Sequence, residues 1–159
     1  MSAKQPNSRH CFVCGLENPY GLKLSFYDEE PGVVHSNWVA GEQFQGYPGI
    51  VHGGVIAAIL DEAATRTVFG PAGSNRLVVT ASLEIRYRKP VPLNTELSVT
   101  GKIKEDKGEI IYATSKIEDG QGQVLANASA VMVVVSPQVA AGMALTGEEW
   151  KVYPDGEAE

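Results

Sequence analysis

Three groups of residues in this 159-residue chain carry side chains suited to chemistry. The first lies in residues 49–70, G-I-V-H-G-G-V-I-A-A-I-L-D-E-A-A-T-R-T-V-F-G. There His52, Gly53 and Gly54 form a turn, and Asp61 follows the histidine by nine residues. A carboxylate inside an apolar run is costly to bury unless it has partners or a task, so Asp61 is the first candidate for acid–base work. His52 alone reads equally well as a histidine that caps a helix. The second group is Cys11-Phe12-Val13-Cys14, a C-x-x-C. Structural zinc wants about four ligands and no second C-x-x-C follows, although two cysteines from each chain of a symmetric dimer would suffice. No βαβ pattern surrounds the pair, as a thioredoxin-like dithiol would require. A local structural turn is therefore the expectation, and no metal ligand is assigned. The third group, Arg86, Arg88 and Lys89, gathers positive charge on a strand, where such charges often block edge-to-edge aggregation.

The elements that position these groups follow from periodicity. Residues 55–68 contain no Pro or Gly, are rich in alanine, and run into Gly70-Pro71, which stops a helix. Val55, Ile56, Ala57, Ala58, Ile59 and Leu60 make that helix apolar all round at its start, so burial on most sides is expected. Ahead of it, residues 21–26 (G-L-K-L-S-F) alternate as a strand. A turn at residues 28–32 leads to a second strand at 33–39, and residues 41–49 form a loop. After it, residues 71–75 read as a turn and residues 77–88 as a strand with Leu83, Ile85 and Tyr87 on one face. Residues 96–104 and 109–117 read as a hairpin around Asp106-Lys107-Gly108. A last strand spans residues 123–135, with Val124, Ala126, Ala128, Ala130, Met132 and Val134 on one face. Its alanines leave room for a helix to lie close. One helix against one antiparallel sheet is an α+β architecture. Such a sheet covers one side of the helix, so a second copy of the chain is expected to close the core.

Composition narrows the function classes. The length suits one domain over residues 1–159, with a core at about 11–135 and a tail at 136–159 without firm structure. The polar start, residues 1–9, is expected to fray. A formal charge of −6 and a pI near 5.1 exclude a general nucleic-acid binder. No apolar run approaches the ~20 residues of a membrane span, and residues 1–9 hold no signal-peptide core, so a cytoplasmic protein without membrane partners is expected.

Y-P-G-I-V-H-G-G-V-I-A-A-I-L-D-E, followed by V-V-T-A-S-L-E-I-R-Y-R-K-P-V-P, resembles the hotdog-fold acyl-CoA thioesterases. Within them it is most similar to the group of the phenylacetate-pathway thioesterase and the human mitochondrial thioesterase-superfamily members. The opening C-F-V-C-G-L-E-N-P-Y-G-L-K-L-S-F resembles the start of many bacterial members. The similarity covers roughly residues 11–135. It implies a hotdog fold, one long central helix wrapped by an antiparallel sheet of about five to six strands. It also implies hydrolysis of an acyl-CoA to a free acid and CoA, without metal or organic cofactor, in a homodimer or homotetramer.

The resemblance also assigns roles. The Gly53 amide would hold the thioester oxygen at the helix N-terminus, where unpaired amides and the helix dipole favour a developing oxyanion. His52 would help position the carbonyl or the loop, and Gly54 beside it would contribute to substrate binding. Asp61 of the other subunit would be general base or nucleophile; a carboxylate among apolar side chains suits a base working near neutrality. Thr80 would orient the attacking water, ahead of Thr65 one turn beyond Asp61. Many members carry Asn six residues before the histidine; this chain has Gly46 there, and neighbouring Gln45 is the residue that can supply an amide. Independently of the resemblance, the charges of Arg86, Arg88 and Lys89 suit anchoring of CoA phosphates as well as they suit protection of a strand edge. The rival readings are a non-catalytic acyl-CoA-binding hotdog protein and a hotdog hydratase. A retained Asp61 speaks against the first, and the H-G-G pattern does not match the second.

Overall fold

The structure, a computed structural model, describes residues 2–69, 76–143 and 147–156. Its elements in chain order are β1 (Ala3–Lys4), β2 (Asn7–Ser8), β3 (Tyr27–Glu30), β4 (Val33–Val39), a 3-10 turn (Glu42–Phe44), and α1 (Gly53–Arg66). Then come β5 (Val78–Tyr87), β6 (Glu96–Asp106), β7 (Ile110–Glu118), β8 (Val124–Val134), α2 (Pro137–Gly142) and β9 (Trp150–Lys151). Seven strands form one antiparallel sheet in the order β1-β3-β4-β6-β7-β8-β5, and β2 pairs with β9 separately. The expected helix, the hairpin and the last strand are all present. Gly70-Pro71 and the turn expected at 71–75 lie outside the described residues.

The sheet curls around α1, which lays Ile56, Ile59, Leu60, Ala63 and Ala64 against it, all buried. Ala126, Ala128 and Ala130 of β8 are buried as the alternation predicts. The closest approach is on β6, however. A Cβ on Gly101 would run into the Ala63 carbonyl oxygen and crowd Thr67. From β7, the Ser115 hydroxyl donates to the Leu60 carbonyl at 2.7 Å. The helix backbone itself therefore rests on the sheet. Its opposite side is not covered: Ala57, Ala58, Asp61 and Thr65 are half-buried and Gly54 is exposed, so burial all round is not met within one chain.

Three expectations are corrected. Residues 21–26 are not a ladder strand. Leu22, Leu24 and Phe26 do turn inward, but Lys23 takes a left-handed φ of 59°. The Leu22 and Leu24 amides bond the Phe12 and Val13 carbonyls instead. Pairing begins at Tyr27, which shrinks the turn expected at 28–32 to Pro31-Gly32. Residues 2–9 do not fray: Gln5 and Asn7 are buried and hydrogen-bonded, with Asn7 Nδ2 on the Cys14 and Leu24 carbonyls. The described part of the tail has structure too. Ser136 caps α2, and β9 brings Trp150 over the guanidinium of buried Arg66 at 4.9 Å.

Because the Gly101 contact is with backbone, no rotamer can relieve it. Gly101→Ala is expected to cost at least ~1–3 kcal/mol of stability as an overpacked core site. Gly120→Ala, with open space around its Cβ, should be near neutral. Urea midpoints of the two variants check this.

Candidate active site

Short backbone bonds fix the entry into α1. The His52 amide donates to the Phe44 carbonyl and the Val51 amide to the Val91 carbonyl, both at 2.9 Å. Gln45 Oε1 accepts from the Gly49 amide at 2.9 Å, which closes the glycine-rich loop. Gly46 lies against His52, where a Cβ would come within 3.1 Å of the His52 Cα. His52 is the N-cap: its Nδ1 accepts from the Gly54 amide at 2.9 Å, which leaves the proton of the neutral ring on Nε2. With Gly54 so engaged, the Gly53 amide is the free donor of the first turn among the described residues. Tyr87 holds this turn from the sheet, its hydroxyl donating to the Gly53 carbonyl at 2.8 Å. An apolar groove of about 380 Å³, lined by Phe12, Pro19, Tyr20, Phe44 and Val55, flanks the same end of the helix.

Two turns on, Asp61 Oδ1 accepts from the Thr80 hydroxyl at 2.5 Å. No other side chain among the described residues bonds Asp61, so its second oxygen is available. A β-bulge makes the pairing possible. Thr80 faces Met132 and Ser82 faces Val131, which leaves Ala81 as the extra residue. The inward set of β5 therefore shifts from Val78 and Thr80 to Leu83 and Ile85. Period-two reading cannot deliver both.

The remaining candidates are more dispersed. The Thr65 hydroxyl donates back to the Glu62 carbonyl at 2.9 Å and so serves the helix. Arg86 pairs with exposed Glu84 at 3.3 Å, while Arg88 Nε donates to Asn127. Arg86 and Arg88 are thus each engaged within the chain. Tyr87 was missed as a site residue. It reads as core from its alternation with Leu83 and Ile85, yet it is 55% exposed. Gly53 and Asp61 are likewise not brought together in one chain: eight residues of helix separate them by about 12 Å along the axis.

Residues 48–126 match the family model described as Thioesterase superfamily. The chain belongs to that superfamily. Its sheet and central helix are the hotdog fold of the solved superfamily members. A crystal structure described as a thioesterase superfamily protein superposes with a TM-score of 0.71 at 32% identity, covering 79% of this chain and 63% of that one. A Streptococcus mutans protein solved with acetyl-CoA gives 0.64 at 21% identity, over 71% of this chain and 89% of that one, a likeness of fold. In sequence the chain is 29% identical over 136 residues to the acyl-coenzyme A thioesterase THEM4 of Rattus norvegicus, covering 84% of this chain and 57% of the relative. The chain thus spans little more than half the length of that curated relative.

A second cluster lies on the other side of α1 in this superfamily member. Cys11, Cys14 and Glu62 meet there, and the Cys14 thiol bonds the Cys11 sulfur. That bond favours the Cys11 thiolate and brings Cys11 down to about 7, against burial and the Glu62 charge. The same bond, with burial, pushes Cys14 up.

The cap itself is testable. His52→Ala should lower stability by about 0.5–2 kcal/mol, the usual loss at an N-cap, and His52→Asn should restore most of it. Denaturant titrations of the two variants measure the difference.

Proposed function

We propose that the chain is an acyl-CoA thioesterase whose site is completed by a second copy of itself. The observation that carries this reading is the division of labour along α1. A free backbone donor sits at its start, and a carboxylate anchored by Thr80 sits two turns later. One thioester carbon must lie about 3 Å from both the oxyanion donor and the attacking group. The ~12 Å between Gly53 and Asp61 rules that out within a chain. Two α1 helices running antiparallel about a two-fold axis put Gly53 of each beside Asp61 of the other. That axis passes the residue midway, Ala57, and Ala57 and Ala58 are small enough for close contact.

In this site the thioester oxygen accepts from the Gly53 amide, with the helix dipole favouring the charge that develops. Asp61 of the partner chain then either takes a proton from water as it attacks or attacks the carbonyl itself; both end in free acid and CoA thiol. Thr80 has its hydroxyl proton on Asp61, so it positions the carboxylate and can only accept from the water. His52 and Tyr87 hold the Gly53 peptide from its two sides. The apolar groove beside the helix start suits an apolar acyl or aryl group. Arg86 and Arg88 serve the CoA phosphates by releasing Glu84 and Asn127, and Lys89 extends the same run of positive charge.

The homodimer has further support. β5 is a ten-residue edge strand of the sheet. On its outer side exposed Val79, Val133 and Ile110 lie in adjacent register across β5, β8 and β7. An open edge beside such a row invites a second sheet. No helix among the described residues is long and apolar enough to cross a membrane.

Thiol release from a panel of acyl-CoAs tests the activity. Asp61→Ala should lose at least ~100-fold in kcat, as expected for an essential base. Acyl-CoA binding without turnover by the wild type would instead identify a binding protein. Ala57→Trp tests the shared site: it should yield folded single chains with no turnover, and an active monomer would sink the cross-subunit arrangement.

A further inference from the structure

The C-x-x-C pair acquires a third donor in the fold. Cys11 Sγ, Cys14 Sγ and a Glu62 carboxylate oxygen all lie within 4.8 Å of one another. Fifty-one residues separate Cys11 from Glu62, and Cys11 Sγ stands 3.9 Å from Glu62 Oε2. We propose that these three side chains form a zinc site that pins the opening turn of the chain to α1.

The surroundings are built for ligands rather than for a plain turn. Cys14 is fully buried and its sulfur accepts from the Ser8 amide at 3.4 Å, which leaves its other lone pairs toward Cys11 and Glu62. The Gly15 amide bonds the Cys11 carbonyl at 2.8 Å, and a Cβ on Gly15 would collide with the Cys11 backbone. The turn is thus as tight as it can be made, with both sulfurs on one side. Glu62 is oriented from behind. Arg66 Nε holds its Oε1 at 2.9 Å, so Oε2 is the oxygen left facing the sulfurs. A partner that fixes a ligating carboxylate in this way is a usual part of a metal centre.

Charge and donor type select the ion. Two thiolates and one carboxylate carry three negative charges, which a divalent ion and the Arg66 guanidinium balance. Two sulfurs with one oxygen favour zinc over magnesium or calcium, which take oxygen ligands. Zinc–sulfur bonds of ~2.3 Å and a zinc–oxygen bond of ~2.0–2.2 Å would draw the donors together by side-chain rotation. Each thiol gives its proton to solvent as its bond to zinc forms and nothing is oxidised; three protein ligands with a water make an open four-coordinate site rather than the closed four-ligand set of a zinc finger. Glu62 follows Asp61 directly, so the site also resists rolling of the helix that aims Asp61 at Thr80.

The test is independent of thioesterase activity. The full chain, purified without chelator, should carry close to one equivalent of zinc by elemental analysis. Cys11→Ser with Cys14→Ser should carry less than a tenth. Glu62→Gln loses stability with the charge partner of Arg66, so circular dichroism first fixes conditions in which it is folded; there it should bind zinc at least ~10-fold more weakly in a chelator competition. Cobalt in place of zinc in the wild type should give a thiolate-to-metal charge-transfer band, which needs no variant to fold. Less than a tenth of an equivalent in the wild type, with no uptake at micromolar free zinc after chelation, would overturn the site. So would a Cys11–Cys14 disulfide seen as a two-dalton mass loss in freshly purified protein, or zinc affinity unchanged in Glu62→Gln.

Discussion

The height and roll of α1 on the sheet are set where Gly101 lets the Ala63 carbonyl settle onto β6. Everything attributed to the site depends on that seat. With the backbone in contact there, and with Ser115 gripping the Leu60 carbonyl from β7, the helix has one rotational setting. Ile56, Ile59, Leu60 and Ala63 then point into the sheet. The stripe at Gly54, Ala57, Asp61 and Thr65 is turned away from it, since residues three and four apart share a face. Asp61 reaches the β5 flank because the apolar face is used up elsewhere. The position of the carboxylate is a by-product of packing before it is a feature of chemistry.

How much of this could be read beforehand depends on how local the cause is. β4 to β8 were legible because each alternates its apolar positions over many residues, and α1 because a long apolar run without Pro or Gly ends at a Gly-Pro stop. The family-like stretch named His52, Gly53, Asp61 and Thr80 together, and the fold puts Thr80 on Asp61 as a neighbour. The reason lies in the Ala81 bulge, which breaks the period that made β5 readable. Residues 21–26 show the reverse case: the inward residues were right, but a left-handed Lys23 sends the backbone hydrogen bonds to residues 12 and 13. Tyr87 was legible in face but not in depth, since at the end of the strand it overhangs the helix start.

The two chain ends were opaque for a different reason. Their order does not come from apolar periodicity but from Arg66. This side chain is 1% exposed. A buried cation is tolerated only where charge and acceptors compensate it, and here they do so at Nε and Nη1 while Nη2 has no hydrogen-bond partner among the described residues. Glu62 provides the charge, the Pro6 carbonyl and Gln5 provide acceptors, and Phe26, Phe69 and Trp150 provide aromatic faces. The first strand segment, the tail and the helix end therefore converge on one guanidinium. In sequence it is only an arginine in a last helical turn, where a cation facing the dipole is unremarkable. Polar Gln5 and Asn7 read as surface for the same reason, because their partners lie far away in the chain.

Asp61 and Glu62 put the two situations side by side. One residue of helix turns a side chain by about 100°, so adjacent carboxylates enter different environments. Glu62 turns toward a buried cation and two thiols, where its charge is compensated and its position fixed. Asp61 turns toward Thr80, a neutral donor that holds one oxygen and leaves the other open. Glu62 has both oxygens engaged, one on Arg66 and one facing the Cys11 sulfur. Asp61, held by a single hydroxyl, keeps an oxygen open. Which of the two carboxylates is locked and which keeps an open oxygen is decided by the neighbour that a single step of helix selects.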